Sequence, residues 1–146
     1  MDRGDPARFG RRTVTTGVKL SLPCVPLLSA WMAMVFLLDD PDAYAKSASY
    51  QLALSWMPID QWGYLWLILA VIQGVAFFSH NRAFMVWALC AGVLAWVAWG
   101  AMFTAASFTF PDALLTGVGM YAFIAIAHLA IAGSMIVEHV IPAGRR

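Results

Sequence analysis

The 146-residue chain is 62% hydrophobic and only 12% charged, with a net charge of +1, and its mean hydropathy is +0.73. Soluble domains run near half apolar and a quarter charged, so a water-soluble globule is excluded. The near-neutral balance likewise excludes the basic field that nucleic-acid binding requires. What charge there is sits between segments: 20–38, 61–79, 83–111 and 113–137 contain none. Four such stretches in a short chain predict a polytopic membrane protein.

The first 19 residues are polar and basic, with Arg11, Arg12 and Lys19 facing anionic headgroups or serving as an orientation signal. The first span is predicted over 20–38. Pro23 and Pro26 lie in its opening turns, and proline lacks a backbone donor, so a clean helix is expected only from about Pro26. The same layout permits a second reading. A basic start, an apolar run and Ala43-Tyr44-Ala45 resemble a cleaved secretory signal, although three aspartates and a proline interrupt the cleavage region.

Residues 43–57 are too polar to span. Tyr50, Ala53, Leu54 and Met57 nevertheless share one helical face, so a short amphipathic helix lying at the outer interface is expected. Pro41 suits its first position, with Asp40 or Asp42 serving its start. Trp56 and Trp62 flank its end as interfacial anchors.

The second span is predicted over 61–78 and the third over 83–103. The four-residue turn Ser79-His80-Asn81-Arg82 forces the two into an antiparallel hairpin. Thr104, Ser107, Thr109 and Pro111 predict an irregular connection, and Pro111 and Asp112 suit the start of a fourth span over 113–137. The expected fold is therefore all-α. It is an integral membrane four-helix bundle of two antiparallel hairpins at 20–137, with one interfacial helix and cytoplasmic tails at 1–19 and 138–146. Lysine and arginine agree on the orientation. Five lie in the first tail, Arg82 lies in the turn, and Arg145 and Arg146 lie in the last tail, whereas the opposite side holds only Lys46. Both termini are expected in the cytoplasm of a bacterial inner membrane.

Lipid is as apolar as leucine, so helices in a bilayer associate through close backbone approach and a few polar contacts. Small residues four apart supply candidate packing faces: Ala88 with Gly92 and Ala91 with Ala95 in the third span, Ala130 with Ser134 in the fourth. The many small residues of the fourth span mark it as the expected central helix. The tryptophans of spans two and three are expected at the interface or facing lipid.

His128 is the one ionisable side chain predicted deep in the bilayer, about 4–5 Å from the midplane. It is either a neutral histidine bonded to a polar neighbour such as Gln73, or a proton-linked or gating group. Haem needs a second axial ligand at the same depth. His80 and His139 both lie at the cytoplasmic edge, so no cofactor and no metal is expected. Gln73 is either an interhelical clamp or part of a polar pathway. Cys24 and Cys90 read as small hydrophobes. With no catalytic pair at a shared depth, no enzyme activity is expected.

The expected partners are the bilayer and either further copies of the chain or a larger membrane complex. In layout alone (several spans, a short polar turn, charged ends) the chain is similar to holins, which permeabilise the inner membrane in phage lysis. The alternatives are an accessory or inhibitory subunit and a small proton-linked transporter or channel.

Overall fold

The computed structural model describes residues 22–79, 81–110 and 116–140, and the side chains of the last stretch over 118–135. The topology residues Arg11, Arg12, Lys19, Arg145 and Arg146 lie outside the described residues, as do His80, Pro111 and Asp112. Every element among the described residues is helical: α1 (Cys24–Leu38), α2 (Pro41–Ala45), a 3-10 turn (Ala48–Tyr50), α3 (Gln51–Leu54), α4 (Ile59–Phe78), α5 (Arg82–Thr109) and α6 (Thr116–Val140). By length and apolar composition α4, α5 and α6 can each cross a membrane. The 15 residues of α1 reach only about 22 Å.

Helix α1 begins at Cys24 rather than near Pro26, with Pro23 as its N-cap. Pro26 is thereby its third residue, where a backbone N–H has no partner inside the helix and proline removes nothing that is used. The predicted interfacial helix over 43–57 is broken into three pieces, because Ser47 is extended (φ −90°, ψ 119°) and divides α2 from the rest. The start of α2 is as its residues imply: Pro41 opens it and the Asp40 carboxylate accepts from the Asp42 N–H at 3.0 Å. The amphipathic face turns to the bundle, with Ala53 buried and Tyr50 and Leu54 packed on the core.

Helix α5 continues six residues past the predicted end at 103. The hydroxyls read as loop signals fold back on their own helix instead. Thr104 donates to Gly100 O, Ser107 to Thr104 O and Thr109 to Ala105 O. A hydroxyl satisfied in this way is compatible with a buried or lipid-facing helix. The helix ends where Phe110 turns extended. Helix α6 runs to Val140, so Glu138 and His139 belong to its last turn and not to a tail.

Contacts fix an antiparallel register throughout. Gly63 lies against Phe36 and Leu37 while Gln73 meets Ser29, so α1 runs back along α4. Trp62 packs on Trp99 and Trp66 on Trp96, which aligns α4 with α5. Gly92 faces His128, and the Arg82 guanidinium donates to the Met135 carbonyl, which aligns α5 with α6. The closest pairs are α1 with α4 and α5 with α6, and α4 joins them through α5. The central helix is thus α5, not α6. The small residues of α6 divide: Ala125 and Ala132 are buried, whereas of the expected packing pair Ala130 is exposed and Ser134 donates to Ile131 O of its own helix. In α5, Ala88 and Gly92 are buried as expected, Ala95 is half-buried and Ala91 points outward.

Candidate functional site: a polar layer between two apolar layers

The core is stratified. At the end where α4 begins, Phe36, Tyr44, Trp66, Trp96, Trp99, Phe103 and Tyr121 form an aromatic layer. At the Arg82 end, Val25, Ala76, Met85, Leu89, Ile131 and Ala132 form an aliphatic one. Between the two lie Ser29, Gln73, Gly92 and His128, one residue from each long helix.

Gln73 and His128 are 2% and 3% exposed, and Ser29 is sealed completely. The Ser29 hydroxyl donates to Gln73 Oε1 at 2.8 Å. His128 Nδ1 lies 2.8 Å from the Ile124 carbonyl. A carbonyl only accepts, so Nδ1 carries a proton and Nε2 of the neutral ring is a bare acceptor. Neither Gln73 Nε2 nor His128 Nε2 has a hydrogen-bond partner. Both converge over Gly92: a Cβ there would stand 2.6 Å from Gln73 Nε2 and 3.3 Å from His128 Nε2. Glycine is the residue that lets the two side chains approach each other across α5.

Gln73 thus joins α4 to α1 through Ser29 and makes no bond to His128. Ser29 itself was missed. The available signal was its position: an antiparallel α1 and α4 bring one serine and one glutamine to a common depth.

The tryptophans correct the expectation of lipid-facing bulk. Trp66, Trp96 and Trp99 are buried, and Trp96 stacks on Tyr121 with centroids 5.9 Å apart. Trp62 is half-buried and its indole N–H donates to Ala53 O at 3.1 Å, tying α3 down on α4. Trp31, Trp56 and Trp87 do point outward. The Trp96 N–H is buried without a partner, and the Trp99 N–H faces the Tyr121 oxygen without closing a bond of ordinary geometry. Beside these rings an apolar groove of about 270 Å³ opens between α4 and α5, walled by Trp62, Trp66 and Trp99 and floored by Ala95 and Ala98.

The connecting segment closes the aromatic end. The Tyr44 hydroxyl donates to Asp39 Oδ2 at 2.9 Å and approaches the Val35 carbonyl at 3.3 Å. Burial first, then the bond to Asp39 and its negative charge, push the Tyr44 phenol up to about 12. Burial first, then the neighbouring phenols of Tyr121 and Tyr44, raise the Tyr50 phenol too.

Among the described residues no three His, Cys, Asp or Glu side chains gather as a metal site. Cys24 and Cys90 are free thiols. Comparison with protein-family models, with curated proteins and with solved structures finds no match to this chain.

Proposed function

We propose that the chain is a four-span integral protein of a bacterial inner membrane, with both termini in the cytoplasm, and that it acts by assembling with further copies of itself rather than by catalysis. The observation that carries the membrane reading is the apolar exterior of the bundle around a core that holds its few buried polar side chains. Gln73, His128 and Ser29 are inside, while Leu67, Ile68, Val71, Leu94 and Val97 are outside. That arrangement suits hydrocarbon as the solvent. What supports reading α1 as the fourth span is its register, since this shorter apolar helix lies along the membrane-length α4 from the level of Ala76 to that of Gly63.

The packing of α6 supports self-assembly. It rests chiefly on α5 and leaves Phe123 and Ile126 73% and 65% exposed, with Ala122 and Ala130 open beside them. Small residues next to bulky ones allow a second helix to approach closely. Holin-like permeabilisation is one form that such assembly takes. It places the conducting path between copies, consistent with a bundle whose own polar layer is capped by apolar layers above and below.

The test is cross-linking in native membranes. In a Cys24→Ser, Cys90→Ala background, Ile126→Cys is expected to give a covalent dimer on oxidation, and Val71→Cys on α4 is not. A dye that reports membrane potential follows induction in parallel, and abrupt collapse supports the permeabilising form. A monomer at every position, purified in mild detergent with a larger stoichiometric partner, overturns self-assembly in favour of an accessory subunit.

A further inference from the structure

Of the four buried polar side-chain atoms that the packing leaves without partners among the described residues, Gln73 Nε2 and His128 Nε2 both face one point over Gly92, whereas the other two are the indole nitrogens of Trp96 and Trp99. Gln73 Nε2 is a donor and His128 Nε2, in the neutral ring, an acceptor. The structure holds the two outer links, Ser29 O–H to Gln73 Oε1 and His128 Nδ1–H to Ile124 O. A rotation that brought the Gln73 amide N–H to His128 Nε2 would join them into a one-way chain. Every group in that chain donates in the same direction, from α1 through α4 to α6.

We infer that this layer is a proton-binding site whose occupancy reverses the chain. A proton taken from water settles on His128 Nε2, which then becomes a donor and opposes the Gln73 amide donors. A half-turn of the Gln73 carboxamide resolves the conflict without moving a heavy-atom position appreciably. Oε1 now accepts from His128 Nε2–H, and the amide N–H donates to Ser29 Oγ. The freed Ser29 hydroxyl turns to the carbonyl one turn back in its own helix, a bond that serine makes readily in membrane helices. No hydrogen bond is lost, so the two states differ mainly by the charge on the ring. The protonation of α6 is thereby reported on α1, through α4.

Charged groups near the site are few. On α1 the nearest in the chain is Asp39 at its C-cap, and on α4 it is Asp60 in the first turn. On α5 it is Arg82, whose guanidinium sits at Met135, two turns beyond His128. On α6 itself Glu138 and His139 lie in the last turns. The closer titratable groups are Cys90 on α5 and Tyr121 on α6, the latter screened from the imidazole by the Trp96 ring. The inference goes beyond the assembly reading, because the chain of bonds lies within one copy.

The experiment is NMR of the full chain in micelles, labelled with 15N and 13C at histidine, glutamine and serine, in a His80→Asn, His139→Asn background. Titration runs from about pH 8 to about pH 4, across the ordinary histidine range. At the alkaline end His128 is expected to carry its proton on Nδ1. On acidification the Gln73 carboxamide and Ser29 Cβ signals are expected to shift with the same midpoint as His128 Nε2. In Gln73→Met, His128 is expected to titrate while the Ser29 signal stays still. Should that variant fail to fold, the parent titration decides alone. The inference is overturned by an Nε2-protonated ring at pH 8, by Gln73 and Ser29 signals that stay fixed while His128 titrates, or by a ring that remains neutral down to acid unfolding.

Discussion

Gly92 shows how one missing carbon organises the centre of the bundle. Its absent Cβ would stand 2.6 Å from Gln73 Nε2 and 2.9 Å from His128 Cδ2, closer than real contacts allow. Gly92→Ala is therefore expected to push both side chains aside and to destabilise the fold by about 1–3 kcal/mol, the usual cost of overpacking. Gly74 on α4 supplies the control, since a Cβ there meets nothing within 4 Å. Gly74→Ala is expected to be neutral, or to stabilise by up to about 1 kcal/mol through helix propensity alone. Thermal unfolding of the two variants in one detergent separates them. Equal melting points would show that Gly92 is not a close-approach position. The pairing of Ala88 with Gly92 was readable from spacing, but its purpose was not. Small-residue spacing says that something approaches closely; it does not say that the visitors are an amide and an imidazole.

At the scale of elements, the segment between α1 and α4 is held by tyrosine rather than by helix propensity. Tyr44 donates to Asp39, packs edge-on to Phe36 at 5.6 Å and meets Tyr50 at 5.0 Å. A phenol raised to about 12 in the folded chain, against about 10 when unfolded, binds its proton more tightly in the folded state. Its contribution is thus fully present below about pH 10 and is lost as pH rises through about 12. Alkaline titration followed by the tyrosinate absorption band is expected to show more than one phenol ionising late, Tyr44 and Tyr50 among them, and Tyr44→Phe to remove one phenol from that late fraction. A Tyr44 that ionises with freely exposed phenols would contradict the buried bond. The elements themselves were largely legible, because runs without charge mark spans whatever their detail. The ends were not. Thr104, Ser107 and Thr109 read as a loop only if their hydroxyls are assumed to compete with the helix, and here they bond within it. Ser47 gave no comparable warning that it would split the amphipathic run.

On the scale of the whole molecule, tryptophan was the hardest residue to place. In water a buried tryptophan is the default, whereas in a bilayer its bulk is equally at home inside the bundle or against lipid, and the interface attracts it further. Sequence periodicity therefore could not decide that Trp66, Trp96 and Trp99 interlock while Trp87 points outward. Charge, by contrast, decides orientation at long range and does not depend on packing. With antiparallel α1, α4, α5 and α6, Arg82 lies at one end of the bundle and Lys46, in the α2 connection, at the other. The sequence expectation of eight cations on the Arg82 side against one on the other predicts that the Arg82 end faces the cytoplasm. In a background lacking Cys24 and Cys90, a cysteine at Lys46 is expected to react with a membrane-impermeant maleimide in intact cells. A cysteine at Asn81 is expected to react only after the membrane is opened. The reverse pattern would invert the protein. Labelling of both from outside would remove the bilayer from the account, because α4, uncharged from 61 to 78, lies between the two positions and only a barrier around it can hide one end from a reagent that reaches the other.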